Sequence, residues 1–102
     1  MNKKYSIEEI SAKLTPIFTS FPIESALIFG SYANGNATEQ SDLDIVIDSK
    51  GEVKGIDFYG ILDEITEALK IPVDLIEASQ IVSGGKAERE IRRTGVKIYE
   101  RS

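Results

Sequence analysis

Residues 42–48 read Asp-Leu-Asp-Ile-Val-Ile-Asp, so that Leu43, Ile45 and Ile47 alternate with Asp42, Asp44, Val46 and Asp48. A period of two is the signature of an extended strand with one covered face. A lone strand cannot bury that face, so the pattern demands partner strands and a helical layer. Partners are at hand. Ala26-Leu27-Ile28-Phe29 is a short apolar run stopped by Gly30 and suits a buried strand. Val73-Asp74-Leu75-Ile76, entered through Pro72, is another, and Val96-Lys97-Ile98-Tyr99 is a last one. Ser6-Ile7-Glu8-Glu9 reads as a capping box opening a helix, with Ile7, Ile10, Leu14, Ile17 and Phe18 at helical spacing. Pro16 is expected to kink that helix or end its regular part. Asp57 is expected to cap a second helix carrying Phe58, Ile61, Leu62, Ile65 and Leu69 on one face. A third is expected from Lys86 to Arg93, closed by Gly95 as its C′ residue. Helix, strand, loop, strand, helix, strand, helix, strand describes an α+β or α/β sheet covered by helices. No repeat or linker interrupts it, so residues 1–102 are read as one domain.

Composition narrows the chemistry. The chain has 102 residues, no His, no Cys and a formal net charge of −5. Without His there is no Ser-His-Asp triad, no His-ligated zinc and no imidazole base. Without Cys there are no disulfides, thiolate nucleophiles or iron–sulfur ligands, which fits a reducing, cytoplasmic setting. No apolar run approaches the ~18–20 residues of a membrane span. An acidic chain is a poor binder of duplex DNA. Any catalysis must rest on carboxylates, hydroxyls, Lys or Arg, with a hard metal cation to help.

The carboxylates carry the most information. On a strand, residues i and i+2 share a face, which sets Asp42 and Asp44 side by side, Cα atoms roughly 6.5–7 Å apart. Asp74 alternates with Val73 and Leu75 on its own strand. If the two strands pair, Asp74 joins the Asp42/Asp44 face while Val46 and Ile76 pack below. Two unit charges ~5 Å apart repel by about 3 kcal/mol at an effective dielectric of ~20. Converging acids must therefore stay apart, take up protons or hold a divalent cation. Oxygen-only ligation favours Mg²⁺ or Mn²⁺ over zinc. Taken alone, an Asp-x-Asp pair in a surface strand is usually a solvated pair; the upstream Gly-Ser turn and Asp74 weaken that reading here.

Gly30-Ser31 follows a buried strand directly. Glycine permits a sharp turn and the approach of an anion, and Ser31 adds a hydroxyl. A short helix starting near Tyr32 would add free N–H groups for a phosphate. Other phosphate and metal motifs fit poorly. There is no GxxxxGK[ST] loop. The residues after Asp42 form a strand rather than an EF-hand loop. In haloacid-dehalogenase enzymes the apolar strand precedes Asp-x-Asp, whereas here polar Thr38-Glu39-Gln40-Ser41 precedes it.

Together, Phe29-Gly30-Ser31-Tyr32-Ala33-Asn34-Gly35 and Ser41-Asp42-Leu43-Asp44-Ile45-Val46 resemble the signature of the DNA polymerase β nucleotidyltransferase superfamily. The short chain is similar to its minimal nucleotidyltransferase branch. The resemblance extends through Val73-Asp74-Leu75 to Gly95-Val96-Lys97-Ile98-Tyr99. It implies a mixed sheet flanked by helices. It implies that Gly30 and Ser31, with Ser41, bind the nucleotide, ATP or another NTP. It implies that Asp42, Asp44 and Asp74 are the catalytic acids and hold two Mg²⁺ ions, with Mn²⁺ as a substitute. In that branch the partner is a separately encoded helical HEPN protein, often a ribonuclease toxin. The implied function is therefore an antitoxin that transfers AMP to a partner tyrosine within a hetero-oligomer.

Two alternatives stand beside this reading: a non-catalytic module that masks its partner by contact, and nucleotidyl transfer to a small molecule. Many relatives carry Arg in the loop where this chain has Asn34. Residues 86–101 hold six of the twelve cations and net +3, leaving −8 for the rest. That stretch is either a solvated helix face or a basic patch facing phosphate or an acidic partner.

Overall fold

The structure, a computed structural model, describes residues 5–38 and 40–101. Residues 1–4, Ser102 and Glu39, which belongs to the polar run ahead of the paired acids, lie outside the described residues. Three helices, α1 (Ile7–Thr19), α2 (Ile56–Leu69) and α3 (Lys86–Thr94), surround one sheet. Its strands are β1 (Ser25–Phe29), β2 (Leu43–Asp48), β3 (Val73–Glu77) and β4 (Val96–Glu100). They lie in the order β3-β2-β1-β4. β2 and β3 run parallel, and the other pairs are antiparallel, so the sheet is mixed as expected. A parallel pair needs a crossover, and α2 provides it.

Register fixes what each face carries. Ile28 lies opposite Ile45, and Ile45 opposite Leu75. This face is buried beneath Ile10, Leu14 and Phe18 of α1 and Ile61, Ile65 and Leu69 of α2, all in one apolar cluster. On the other face Phe29 lies opposite Asp44, Asp44 opposite Asp74, and Val46 opposite Ile76. α3 packs against β1.

Several local expectations need correction. α1 runs through Pro16 to Thr19. Pro16 removes one N–H from the ladder near the helix end, and its own carbonyl still accepts from the Thr19 and Ser20 hydroxyls. Ser6 does form the capping box with Glu9. Asp57 does not cap α2. Gly55 does, at φ 62°, and Asp57 lies in the first turn, where its charge complements the positive helix end. Gly95 is the cap of α3 at φ −57°, not a left-handed C′ residue. It must be glycine because a Cβ there would meet the Ile91 carbonyl oxygen at 2.5 Å. Residues 30–35 form a hydrogen-bonded turn instead of a helix, with the Ala33 and Asn34 N–H groups both donating to the Gly30 carbonyl.

Candidate active site

The C-terminal end of β1 and the N-terminal ends of β2 and β3 border a cleft of about 680 Å³ walled on one side by α3. Gly30, Ser31, Asn34, Asp44 and Asp74 line it. The expected pairing of the acids on neighbouring strands is therefore present, with Asp44 and Asp74 directly opposite in parallel register. Asp42 is placed differently. β2 begins at Leu43, so Asp42 stands one residue before the strand, exposed at its entrance and outside the cleft lining. It still acts on Asp44 through its charge. Ser41 is also outside the lining; its hydroxyl accepts from the Thr38 N–H at 2.9 Å and closes the 38–41 loop.

Asp44 is the pivot of the arrangement. Its side chain makes no hydrogen bond among the described residues. Burial, then the charges of Asp74, Asp42 and Glu90, push its carboxyl up to about 6, against a smaller opposing pull from Lys86. Gly30 makes room for it. At φ +74° the glycine backbone turns so tightly that a Cβ would stand 2.5 Å from Asp44 Oδ2. This is the one place in the turn where any side chain would displace a site residue.

The turn itself is tied down by α3. The Gly30 N–H donates to Thr94 Oγ1 at 2.9 Å, and Thr94 Oγ1 donates to the Glu90 carbonyl at 2.8 Å. The Gly30 amide is thus occupied. The Ser31 amide and hydroxyl make no hydrogen bond among the described residues, so Ser31 is the free donor of the pair.

The donor set suits a hard cation: oxygen-only, anionic and pressed by like charge. Among the described residues no three His, Cys, Asp or Glu converge closely enough to hold an ion unaided. Mg²⁺ sites beside substrate phosphates typically use one or two carboxylates and take their other ligands from the phosphates and water. The residues present therefore fit that kind of site and not a closed protein cage.

Reading the sequence missed two participants. Glu90 and Thr94 look like ordinary residues of a charged helix. Only the crossing of α3 over β1 brings them to the turn. A second missed feature lies nearby on the core side. Glu77 is 4% exposed, and its carboxylate accepts from Ser49 N at 2.8 Å, Ser49 Oγ at 2.6 Å, Ser79 N at 2.6 Å and Ser79 Oγ at 2.5 Å. Its position two residues after buried Leu75, on the same strand face, was the available signal.

The family described as "Polymerase beta, Nucleotidyltransferase" matches residues 12–102. The protein adenylyltransferase MntA of Thermococcus cleftensis is 36% identical over 84 residues, spanning 78% of this chain and 84% of that protein. A toxin–antitoxin crystal structure with AMP-PNP superposes with a TM-score of 0.76 at 18% identity, covering 90% of this chain and 74% of the other. A tri-AMPylated Shewanella oneidensis HEPN toxin in complex with MNT antitoxin gives a TM-score of 0.71 at 15% identity, covering 93% of this chain and 73% of the other. These two likenesses concern the fold. Among the described residues no helix is long and apolar enough to cross a membrane. With the matched family covering all but the first eleven residues, and the Gly30-Ser31 turn facing Asp44 and Asp74 across one cleft, the chain belongs to the polymerase β nucleotidyltransferase family and is an enzyme of that class.

Proposed function

We propose that this chain transfers AMP from ATP to a tyrosine hydroxyl of a HEPN partner and acts as its antitoxin. The observation that carries the reading is the Asp44–Asp74 pair set in register across a cleft that also holds the Gly30-Ser31 turn. A triphosphate laid along the turn meets the free Ser31 amide and hydroxyl. Asp44 and Asp74, with Asp42 at the strand entrance, are the residues that would hold Mg²⁺. Bound there, Mg²⁺ would neutralise charge on the entering and leaving oxygens of an in-line displacement. The acceptor oxygen bonds to the α-phosphorus, the bond to pyrophosphate breaks, and the hydroxyl proton leaves toward the acidic side of the cleft. Asp74, the more exposed of the facing pair, is on the side open to an incoming hydroxyl. Support for protein AMP transfer comes from the name of the Thermococcus relative and from the toxin–antitoxin assemblies that share the fold.

A second reading is neutralisation by contact alone. Ile56 and Tyr59, 89% and 65% exposed at the start of α2, give it a surface. One experiment separates the two. The chain is incubated with labelled ATP, Mg²⁺ and a HEPN protein as the candidate partner. Label on a partner tyrosine, lost in Asp44→Asn, supports transfer. An unlabelled partner that Asp42→Ala/Asp44→Ala still neutralises overturns it in favour of contact.

A further inference from the structure

We propose that Lys86, seconded by Arg93, supplies the cationic contacts to the β- and γ-phosphates of the bound nucleotide. The inference rests on the nucleotidyl-transfer reading above and names the side chains that hold the leaving group.

The four cations of α3 divide by face. Lys86, Glu90 and Arg93 fall at i, i+4 and i+7, one stripe of a helix, and all three line the cleft. Arg89 turns away, its Nη1 donating to the Gly84 carbonyl at 2.6 Å. Arg92 also turns away and borders a shallow depression with Ile81 and Ile91. The cations of α3 are therefore divided, two on the cleft wall and two turned away from it.

The two cleft cations differ in readiness. Arg93 is held by Glu90, Nη2 to Oε2 at 2.7 Å, which fixes the guanidinium at the cleft edge. Lys86 makes no hydrogen bond or ion pair among the described residues, yet its ammonium is near enough to act on the Asp44 carboxylate. It is an exposed, uncommitted cation beside a cluster of acids.

A polyphosphate entering this cleft would meet Asp44, Asp74 and Glu90 and be repelled by all three. The turn alone offers little compensation. The Gly30 amide is taken by Thr94, and Asn34 brings no charge to the loop. The cations within the cleft are Lys86 and Arg93. Their distance from the turn is set by the fold, because Thr94 joins the last turn of α3 to Gly30. An ammonium on a flexible stem suits a phosphate chain as a point charge, and a guanidinium clamped by Glu90 suits it as a fixed fork.

The test is equilibrium binding of Mg²⁺-ATP and of AMP to the full chain and to Lys86→Ala, Lys86→Arg, Arg93→Ala and Arg92→Ala. All three positions are exposed, and thermal unfolding checks that each variant stays folded. Lys86→Ala is expected to weaken ATP binding about ten-fold while moving AMP binding by less than about two-fold. Lys86→Arg restores most of the loss, Arg93→Ala weakens ATP by a smaller factor, and Arg92→Ala, the same charge change on the other face, binds ATP like the parent. The salt dependence of ATP binding becomes shallower in Lys86→Ala. Lys86→Ala binding ATP as tightly as Arg92→Ala overturns the proposal and leaves nucleotidyl transfer standing. So does an equal loss for ATP and AMP. A folded parent chain that binds no Mg²⁺-ATP overturns the transfer reading itself, and this proposal with it.

Discussion

Asp44 and Glu77 stand on adjacent parallel strands, and the sheet treats them oppositely. Asp44 faces the cleft and Glu77 the core side, where Glu77 lies opposite Ile47. Burial disfavours the charge of each. In Glu77 that effect is outweighed by hydrogen bonds from the side chains and backbone amides of Ser49 and Ser79, which hold its carboxyl down to about 2. In Asp44 burial is reinforced by Asp74, Asp42 and Glu90, and the carboxyl rises to about 6. Burial alone therefore does not decide the state of an acid; the donors around it do. Glu77 is complete without help from outside the chain. Asp44 lacks donors, and the pull of Lys86 offsets only part of the effect of burial and its acidic neighbours. Such a division is expected where a fold sets stability aside at its working site and recovers it next door.

The contrast can be broken by substitution, beginning with the largest effect. Asp44→Asn should lower label transfer to the partner by about 10³-fold, about 4 kcal/mol of barrier. A loss smaller than about ten-fold would remove Asp44 from the centre of the site. Glu77→Ala should instead leave transfer per folded molecule unchanged and lower stability by about 3 kcal/mol, a drop of about 15 °C in Tm, because it strands the Ser49 and Ser79 donors. Transfer that falls while Tm holds would reverse the two roles.

Acid sharpens the same comparison. Glu77 moves from 4.5 to about 2 on folding, so its ionised form favours the folded chain. That stabilisation is complete above about pH 4.5 and disappears as pH falls toward 2, a loss of about 3 kcal/mol that Glu77→Gln should not show in acid denaturation. Asp44 has the opposite sign. Its carboxyl moves from 3.8 to about 6, so its protonated form favours the folded chain, and ligand-free stability falls as pH rises through that interval. The smallest expected effect follows. Ligand-free Asp44→Asn at pH 7 should be more stable than the parent by about 1 kcal/mol after allowing for solvent screening, about 4–8 °C in Tm. A lower Tm would mean that Asp44 has a partner supporting its charge.

Much of this was legible before the structure because it depends on local periodicity. The alternation at 42–48 placed β2, and Asp74 between Val73 and Leu75 placed the second acid. Strand pairing then brought Asp44 opposite Asp74 and Val46 opposite Ile76, as the alternation implied. What could not be read depends on where the chain crosses itself. Thr94 and Gly30 are 64 residues apart and meet only because α3 passes over β1. The caps were misread for a different reason. Asp57 and Gly95 are the residue types that end helices, but Gly55 entered α2 first, and Gly95 is required by the nearness of the Ile91 carbonyl rather than by its dihedral freedom.

The Thr94–Gly30 hydrogen bond also has a consequence during synthesis. The amide of the Gly30 turn is made early, and its acceptor emerges 64 residues later. β4, which pairs with β1, comes later still. At about 5–20 residues per second, a nascent chain spends several seconds with the Gly30 turn open and one edge of β1 unpaired. A chain that ends before residue 94 therefore lacks both the Thr94 acceptor of the Gly30 amide and the β4 partner of β1.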